Sequence, residues 1–66
     1  MKATEMNEKV TEALENRTMT AEEIAQEMGA DDHRALRFLN QHLNWMEQNG
    51  LVETSYELGE RVYTLK

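Results

Sequence analysis

The sequence predicts a mainly α fold with a small β-hairpin: three helices followed by two antiparallel strands. Apolar residues recur at helical spacing before residue 50, and β-branched and aromatic residues dominate two short stretches after it. Gly29, Gly50 and Gly59 fall between these segments, where a chain reversal needs them. Residues 1–66 are expected to form one domain, because so short a chain has room for a single core.

The first helix is predicted from about Thr4 to Arg17. One face carries the apolar residues Met6, Val10, Ala13 and Leu14. Much of the remaining surface carries Glu5, Glu8, Glu12 and Glu15. A glutamate stripe of this kind is either a docking surface for a basic partner or a solvated helix face, and we expect the solvated face.

The second helix begins with a capping box at Thr20–Glu23, in which the Thr20 hydroxyl and the Glu23 carboxylate each accept from a backbone amide of the other residue. Gly29 fits the left-handed position that ends a helix. The apolar face between them is short: Ile24, Ala25 and Met28. A helix of about two turns is unstable alone, so it must pack on its neighbours.

The third helix is predicted from about Asp32 to Gln48 or Asn49, with Asp31 or Asp32 as its N-cap and Gly50 as its end. At about 100° per residue, the core-facing arc holds Leu36, Leu39, Leu43 and Met46, with Ala35 at its edge. The opposite side carries Arg34, Arg37, Gln41, Asn44 and Gln48. A flank between these two faces holds Phe38, His42 and Trp45.

Two strands complete the chain, Leu51–Tyr56 and Arg61–Leu65, joined by a turn at Glu57–Glu60. An isolated hairpin is marginally stable, so this one must lean on the helices. The residues expected to make that contact are Leu51, Tyr63 and Leu65.

The net charge of −6, from 13 acidic and 7 basic side chains, limits the partners that the chain can bind. Nucleic-acid binding requires clustered Lys and Arg, so the few basic residues must lie on one face, or the partner is a protein. From His33 to Met46 there is no acidic residue. The exposed side of that segment carries arginine, which can bond guanine, and glutamine and asparagine, which can bond adenine.

Three stretches resemble the winged helix-turn-helix domains of small bacterial and archaeal transcriptional regulators. TAEEIAQEMG at 20–29 is similar to the second helix of that family, and HLNWMEQNGLV at 42–52 to the end of its recognition helix and the start of the wing. RVYTL at 61–65 is similar to the returning wing strand. The stretch from Gly29 to His42 is about one turn longer than in many members, and Glu57 and Glu60 would repel phosphates from the wing tip.

The resemblance implies sequence-specific binding of double-stranded DNA in transcriptional control, with the third helix in the major groove and the hairpin at an adjacent groove or at the DNA backbone. The implied DNA-binding residues are Arg34, Arg37, Phe38, Gln41, Asn44 and Arg61. A surface with so few basic side chains is expected to bind DNA weakly. We therefore expect a homodimer or a partner protein to supply a second half-site.

The alternative is a winged-helix protein–protein interaction module that does not bind DNA, since a fold does not fix a function. Phe38 and Trp45 would form an aromatic anchor if they were uncovered. They would otherwise close the edge of the core, which we expect for Trp45 and leave open for Phe38. The excess of acidic residues is also compatible with mimicry of DNA or with a halophilic source organism.

Several classes of function are not expected. The sequence has no nucleophile motif and no glycine-rich phosphate-binding loop, and so short a chain is expected to be too small for a substrate pocket of the usual kind. We therefore predict no enzyme, no cofactor and no small-molecule ligand. His33 and His42 point to opposite sides of the third helix, so no metal site is expected; His42 is expected to pack near the core edge. The absence of cysteine fits a reducing cytoplasm, and no apolar run suits a membrane or a signal peptide.

Overall fold

The structure, a computed structural model, describes residues 3–29 and 32–66. It contains three helices and three strands: α1 at Ala3–Leu14, β1 at Met19–Thr20, α2 at Ala21–Glu27, α3 at His33–Gln48, β2 at Val52–Glu57 and β3 at Glu60–Leu65. The predicted order of three helices and a hairpin is confirmed. Asp31, one of the two predicted caps of the third helix, lies outside the described residues.

The helix ends follow local signals. The predicted capping box is present, because the Glu23 amide donates to the Thr20 hydroxyl (3.2 Å) and the Thr20 amide to the Glu23 carboxylate (2.9 Å). Asp32 caps α3 by accepting from the amide of Ala35 at 2.7 Å. At the other end of α3, Gly50 has φ +73° and its amide donates to the Glu47 carbonyl. The Leu51 amide donates to the Met46 carbonyl, which completes a Schellman motif.

Helix α1 is shorter than predicted. It ends at Leu14 rather than at Arg17, because Asn16 adopts a left-handed backbone with φ 60°. Asparagine tolerates this conformation better than most residues, since its short polar side chain can bond locally. The glutamates of the predicted stripe on α1 are all exposed.

The sheet has three antiparallel strands in the order β1-β3-β2, so the expectation of a two-stranded wing was incomplete. Strand β1 has only two residues, which pair Met19 with Tyr63 and Thr20 with Val62. Strands β2 and β3 pair from Val52–Leu65 to Glu57–Glu60. Leu58 and Gly59 form the connecting turn with φ 52° and 80°, the signs that a type I′ turn requires.

The core lies between the three helices and the inner face of the sheet. The largest fully buried side chains are Leu14, Ile24, Leu39, Leu43, Met46 and Val10. Most of the arc predicted on the third helix is therefore confirmed, while Ala35 and Leu36 are half-buried at its edge. In the hairpin Tyr63 is buried, but Leu51 is 42% exposed and the adjacent Val52 takes the expected core position.

Candidate functional site

The outward side of α3 presents a ridge of four polar side chains, which we call the ridge: Arg34, Arg37, Gln41 and Asn44. All four are exposed, as predicted, because they lie opposite the buried Leu39 and Leu43 on the same helix. The deep burial of those leucines fixes the rotation of α3, and hence the direction in which the ridge points.

The ridge is free of ion pairs within the described part of the chain. The two ion pairs in residues 3–29 and 32–66 are Arg17–Glu27 at 3.3 Å and Arg61–Glu47 at 2.8 Å. Neither Arg34 nor Arg37 has a described carboxylate within 4.0 Å. Their guanidinium groups can therefore offer planar pairs of N–H donors to an external acceptor.

Arg61 lies on β3 rather than on the ridge, and it already forms an ion pair with Glu47. Its guanidinium donates to Glu47 Oε1, while the Thr54 hydroxyl donates to Glu47 Oε2 at 2.7 Å. The same guanidinium lies 5.6 Å from the ring centroid of Tyr63. These contacts, which we call the Glu47 latch, join the hairpin to the last turns of α3. An external anion that recruits Arg61 must compete with Glu47.

A second feature lies on the flank of α3 that faces α1. Phe38, Gln41, His42 and Trp45 line a cleft of about 270 Å³, which we call the aromatic shelf. Phe38 is 43% exposed and Trp45 is 47% exposed. The expectation that Trp45 closes the core edge is wrong, because almost half of its side chain is exposed and its ring lies against His42 at the surface.

His42 supports the aromatic shelf from below. It is buried, as predicted, and its Nε2 donates to Asn7 Oδ1 on α1. The ring of Trp45 stacks on His42 with a centroid distance of 5.5 Å and an interplanar angle of 25°. Burial lowers the pKa of His42 below the ordinary histidine value of 6.5, which favours the neutral imidazole.

A groove of about 350 Å³ lies between the start of α2, Asn40 of α3 and strand β3. Its walls include Glu22 and Glu60, and its one arginine, Arg61, is held by Glu47. This balance of charge does not favour an anion. The hairpin tip beyond it is also acidic, since Glu57 and Glu60 are both exposed beside the turn.

The two histidines are separate, as their spacing predicts: His42 is buried and His33 is exposed at the first turn of α3. Among residues 3–29 and 32–66, no three His, Cys, Asp or Glu side chains are grouped closely enough to hold a metal ion. No described helix has both the length and the apolar composition that crossing a bilayer requires.

The contacts of two residues in this region, Glu47 and Asn7, were not predicted from the sequence. Glu47 follows the acid-free stretch directly, and its helical position places it on the flank nearest the hairpin. That spacing is a usable signal for the Glu47 latch, although it does not identify Arg61 as the partner. Asn7 carries no signal at all, because its contact with His42 depends on how α1 packs against α3.

Comparison with known proteins adds no relative: no protein family profile, no curated protein and no solved structure matches this chain.

Proposed function

We propose that the chain is a winged helix-turn-helix domain that binds double-stranded DNA sequence-specifically in transcriptional control, with α3 as the helix that reads the major groove. The element order and the hairpin beside α3 support the architecture. The observation that carries the function is the ridge: two arginines and two amides, exposed together, with no described carboxylate within ion-pair distance of the arginines.

The chemistry and the length of the ridge suit base edges. Arg34 and Arg37 can each bond guanine bidentately, and Gln41 and Asn44 can do the same for adenine. From residue 34 to residue 44 an α-helix rises about 15 Å at ~1.5 Å per residue. Base pairs are spaced by about 3.4 Å, so the ridge spans roughly four of them, which is the size of one half-site.

Affinity for a single half-site is expected to be low. Arg34 and Arg37 are the arginines of α3 without a described carboxylate partner, and the net charge of −6 opposes the approach to phosphates. A homodimer or a partner protein that supplies a second half-site would compensate for this weakness.

The first experiment measures binding of the chain to a pool of random DNA duplexes as a function of salt concentration. On random sequences Arg34 and Arg37 are expected to contact phosphates rather than bases, and two such contacts give a slope of log affinity against log salt near −2, since each contributes about −0.9. Absence of binding even at the lowest salt concentration would overturn the proposal.

The second experiment uses a duplex selected from that pool. Arg37→Ala is expected to weaken specific binding by about 1–3 kcal/mol. Lys9→Ala is the matched control, because it removes one positive charge from an exposed position of α1 that, like Arg37, has no ion pair among the described residues. Equal losses in both variants would mean that only net charge matters and that α3 does not read the bases.

The alternative function, a protein-docking module, draws on the exposure of Phe38 and Trp45. Aromatic side chains carry ~150–250 Å² each, so their exposed fractions amount to roughly 200 Å² together. A stable protein interface buries about 800 Å² on each partner. The aromatic shelf alone is therefore too small for such an interface, and we favour DNA binding.

A further inference from the structure

The aromatic shelf has an unusual chemical character for the surface of so acidic a chain. Its four side chains are two half-exposed rings, one amide and one imidazole whose burial favours the neutral form. No acidic residue occurs between 33 and 46, the segment that contains all but the last two residues of α3. A ligand of the aromatic shelf thus meets flat apolar surfaces and hydrogen-bonding groups without electrostatic repulsion from its walls.

The Trp45 ring is held in place before any ligand arrives. Asn7 fixes the His42 imidazole, and Trp45 stacks on that imidazole at 5.5 Å. His42 covers one side of the indole, and 47% of Trp45 stays exposed to solvent. A ring already ordered loses little conformational freedom on binding, which favours a flat ligand stacked on it.

Cationic and amide groups border these rings. Arg34 lies one helical turn before Phe38 on the same side of α3 and is exposed. Gln41 lies between Phe38 and Trp45 in the wall of the cleft. The cleft therefore combines a stacking surface, a side chain that can pair with a base edge, and a nearby guanidinium for a phosphate.

We propose that the aromatic shelf binds an unpaired nucleobase of a single-stranded nucleic acid, stacked on Trp45 and Phe38. Proteins that bind single strands combine aromatic stacking with basic side chains along the backbone. Adenine is the best match, because the Gln41 amide can bond its N6 and N7. A single base suits the cleft of about 270 Å³, whereas a second copy of the chain needs far more apolar area.

The proposal goes beyond duplex binding, because the bases of a duplex are stacked on one another and expose only their edges. It also depends on different residues. Trp45 is outside the ridge and outside the residues implied in duplex recognition, whereas Arg37 and Asn44 lie on the ridge and do not line the cleft.

Trp45 is the only tryptophan of the chain and reports directly on the site. We expect a short oligodeoxyadenylate to quench its fluorescence saturably. An oligonucleotide with the same number of phosphates but abasic sugars should leave the fluorescence unchanged. Equal quenching by the abasic strand would overturn the proposal, because it would trace the signal to phosphates alone.

Variants then test the stacking itself, with a fluorophore on the oligodeoxyadenylate and anisotropy as the readout. Trp45→Ala should weaken binding by about tenfold, in line with the loss of one base–aromatic stack. Trp45→Phe should retain most of the affinity, and circular dichroism checks that both variants are folded. If Trp45→Phe binds as weakly as Trp45→Ala, or Trp45→Ala binds as well as wild type, the inference is wrong.

Two further measurements separate the proposals. Arg37→Ala and Asn44→Ala should weaken duplex binding and leave the Trp45 quenching by oligodeoxyadenylate nearly unchanged. Quenching of Trp45 by oligodeoxyadenylate in a chain that binds no duplex would contradict the proposed function and support the stacking proposal. A shift of Trp45 emission with protein concentration, in the absence of nucleic acid, would instead identify the aromatic shelf as a contact between copies of the chain and would overturn this inference.

Discussion

Replacing Glu47 by glutamine is expected to strengthen duplex binding by releasing Arg61. In the folded chain, the guanidinium of Arg61 donates to Glu47 at 2.8 Å. The neutral amide introduced by Glu47→Gln no longer holds that charge, but its oxygen can still accept the hydrogen bond from the Thr54 hydroxyl. Arg61 then becomes available to a phosphate at the side of the groove next to the hairpin.

The size of the effect follows from the number of phosphate contacts. One added contact makes the slope of log affinity against log salt steeper by about 0.9. Over a fourfold rise in salt concentration, Glu47→Gln should therefore lose about 3.5-fold more affinity than wild type. The loss of folding stability in Glu47→Gln should be small, because a partly exposed ion pair contributes only ~0.2–1 kcal/mol.

The assay is fluorescence anisotropy of a labelled duplex at a series of salt concentrations, with urea unfolding as the check of stability. Glu53→Gln is the matched control, because it makes the same charge change at an exposed residue of β2. Identical slopes for the two variants would refute the reasoning, since only net charge would then matter. So would a steeper slope for Glu47→Gln that persists after Arg61→Ala is added.

The remaining predictions concern stability. Thr20→Ala removes the acceptor of the α2 capping box and should lower the free energy of unfolding by about 1 kcal/mol in urea titrations, whereas Thr20→Ser, which keeps the hydroxyl, should lose much less. His42 has a lower pKa in the folded chain than in the unfolded chain, so the unfolded chain binds more protons and stability should fall as the pH drops below about 6.5. Unfolding curves between pH 7 and pH 5 should show this decline in wild type and in His33→Gln but a flatter profile in His42→Gln; equal slopes in all three would contradict the assignment.

The parts of the fold that follow from short-range signals were predictable. The capping box at Thr20 and the glycine at Gly50 act within a few residues of the helix ends that they set. Strand β1 was not predictable, because a two-residue strand has no periodicity and exists only through pairing with β3 near the other end of the chain. The end of α1 at Leu14 depends on the left-handed backbone of Asn16, which the apolar spacing does not report.

One part of the candidate site, the ridge, was predictable from the sequence, and another part, the exposure of Trp45, was not. A helical projection places the ridge on the side opposite Leu39 and Leu43, and the structure leaves the ridge exposed. The same projection cannot tell whether a neighbouring element covers a flank. Trp45 was therefore expected at the core edge, whereas the structure leaves its indole half-exposed and stacked on His42.

The outer surface of α3 presents three chemistries side by side: the anionic Glu47 toward the hairpin, the cationic and amide ridge in the centre, and the uncharged aromatic shelf toward α1. Most of the other acidic side chains lie on the remaining elements, where they oppose non-specific attraction to phosphates. A chain built this way gains little affinity from charge alone, because that contribution grows with the number of cations presented. Contacts that depend on the identity of the base, hydrogen bonds from the ridge and stacking on the aromatic shelf, must then supply a larger share of the binding energy. Under the proposed function, the ratio of specific to non-specific affinity should thus be high for a protein whose absolute affinity is low.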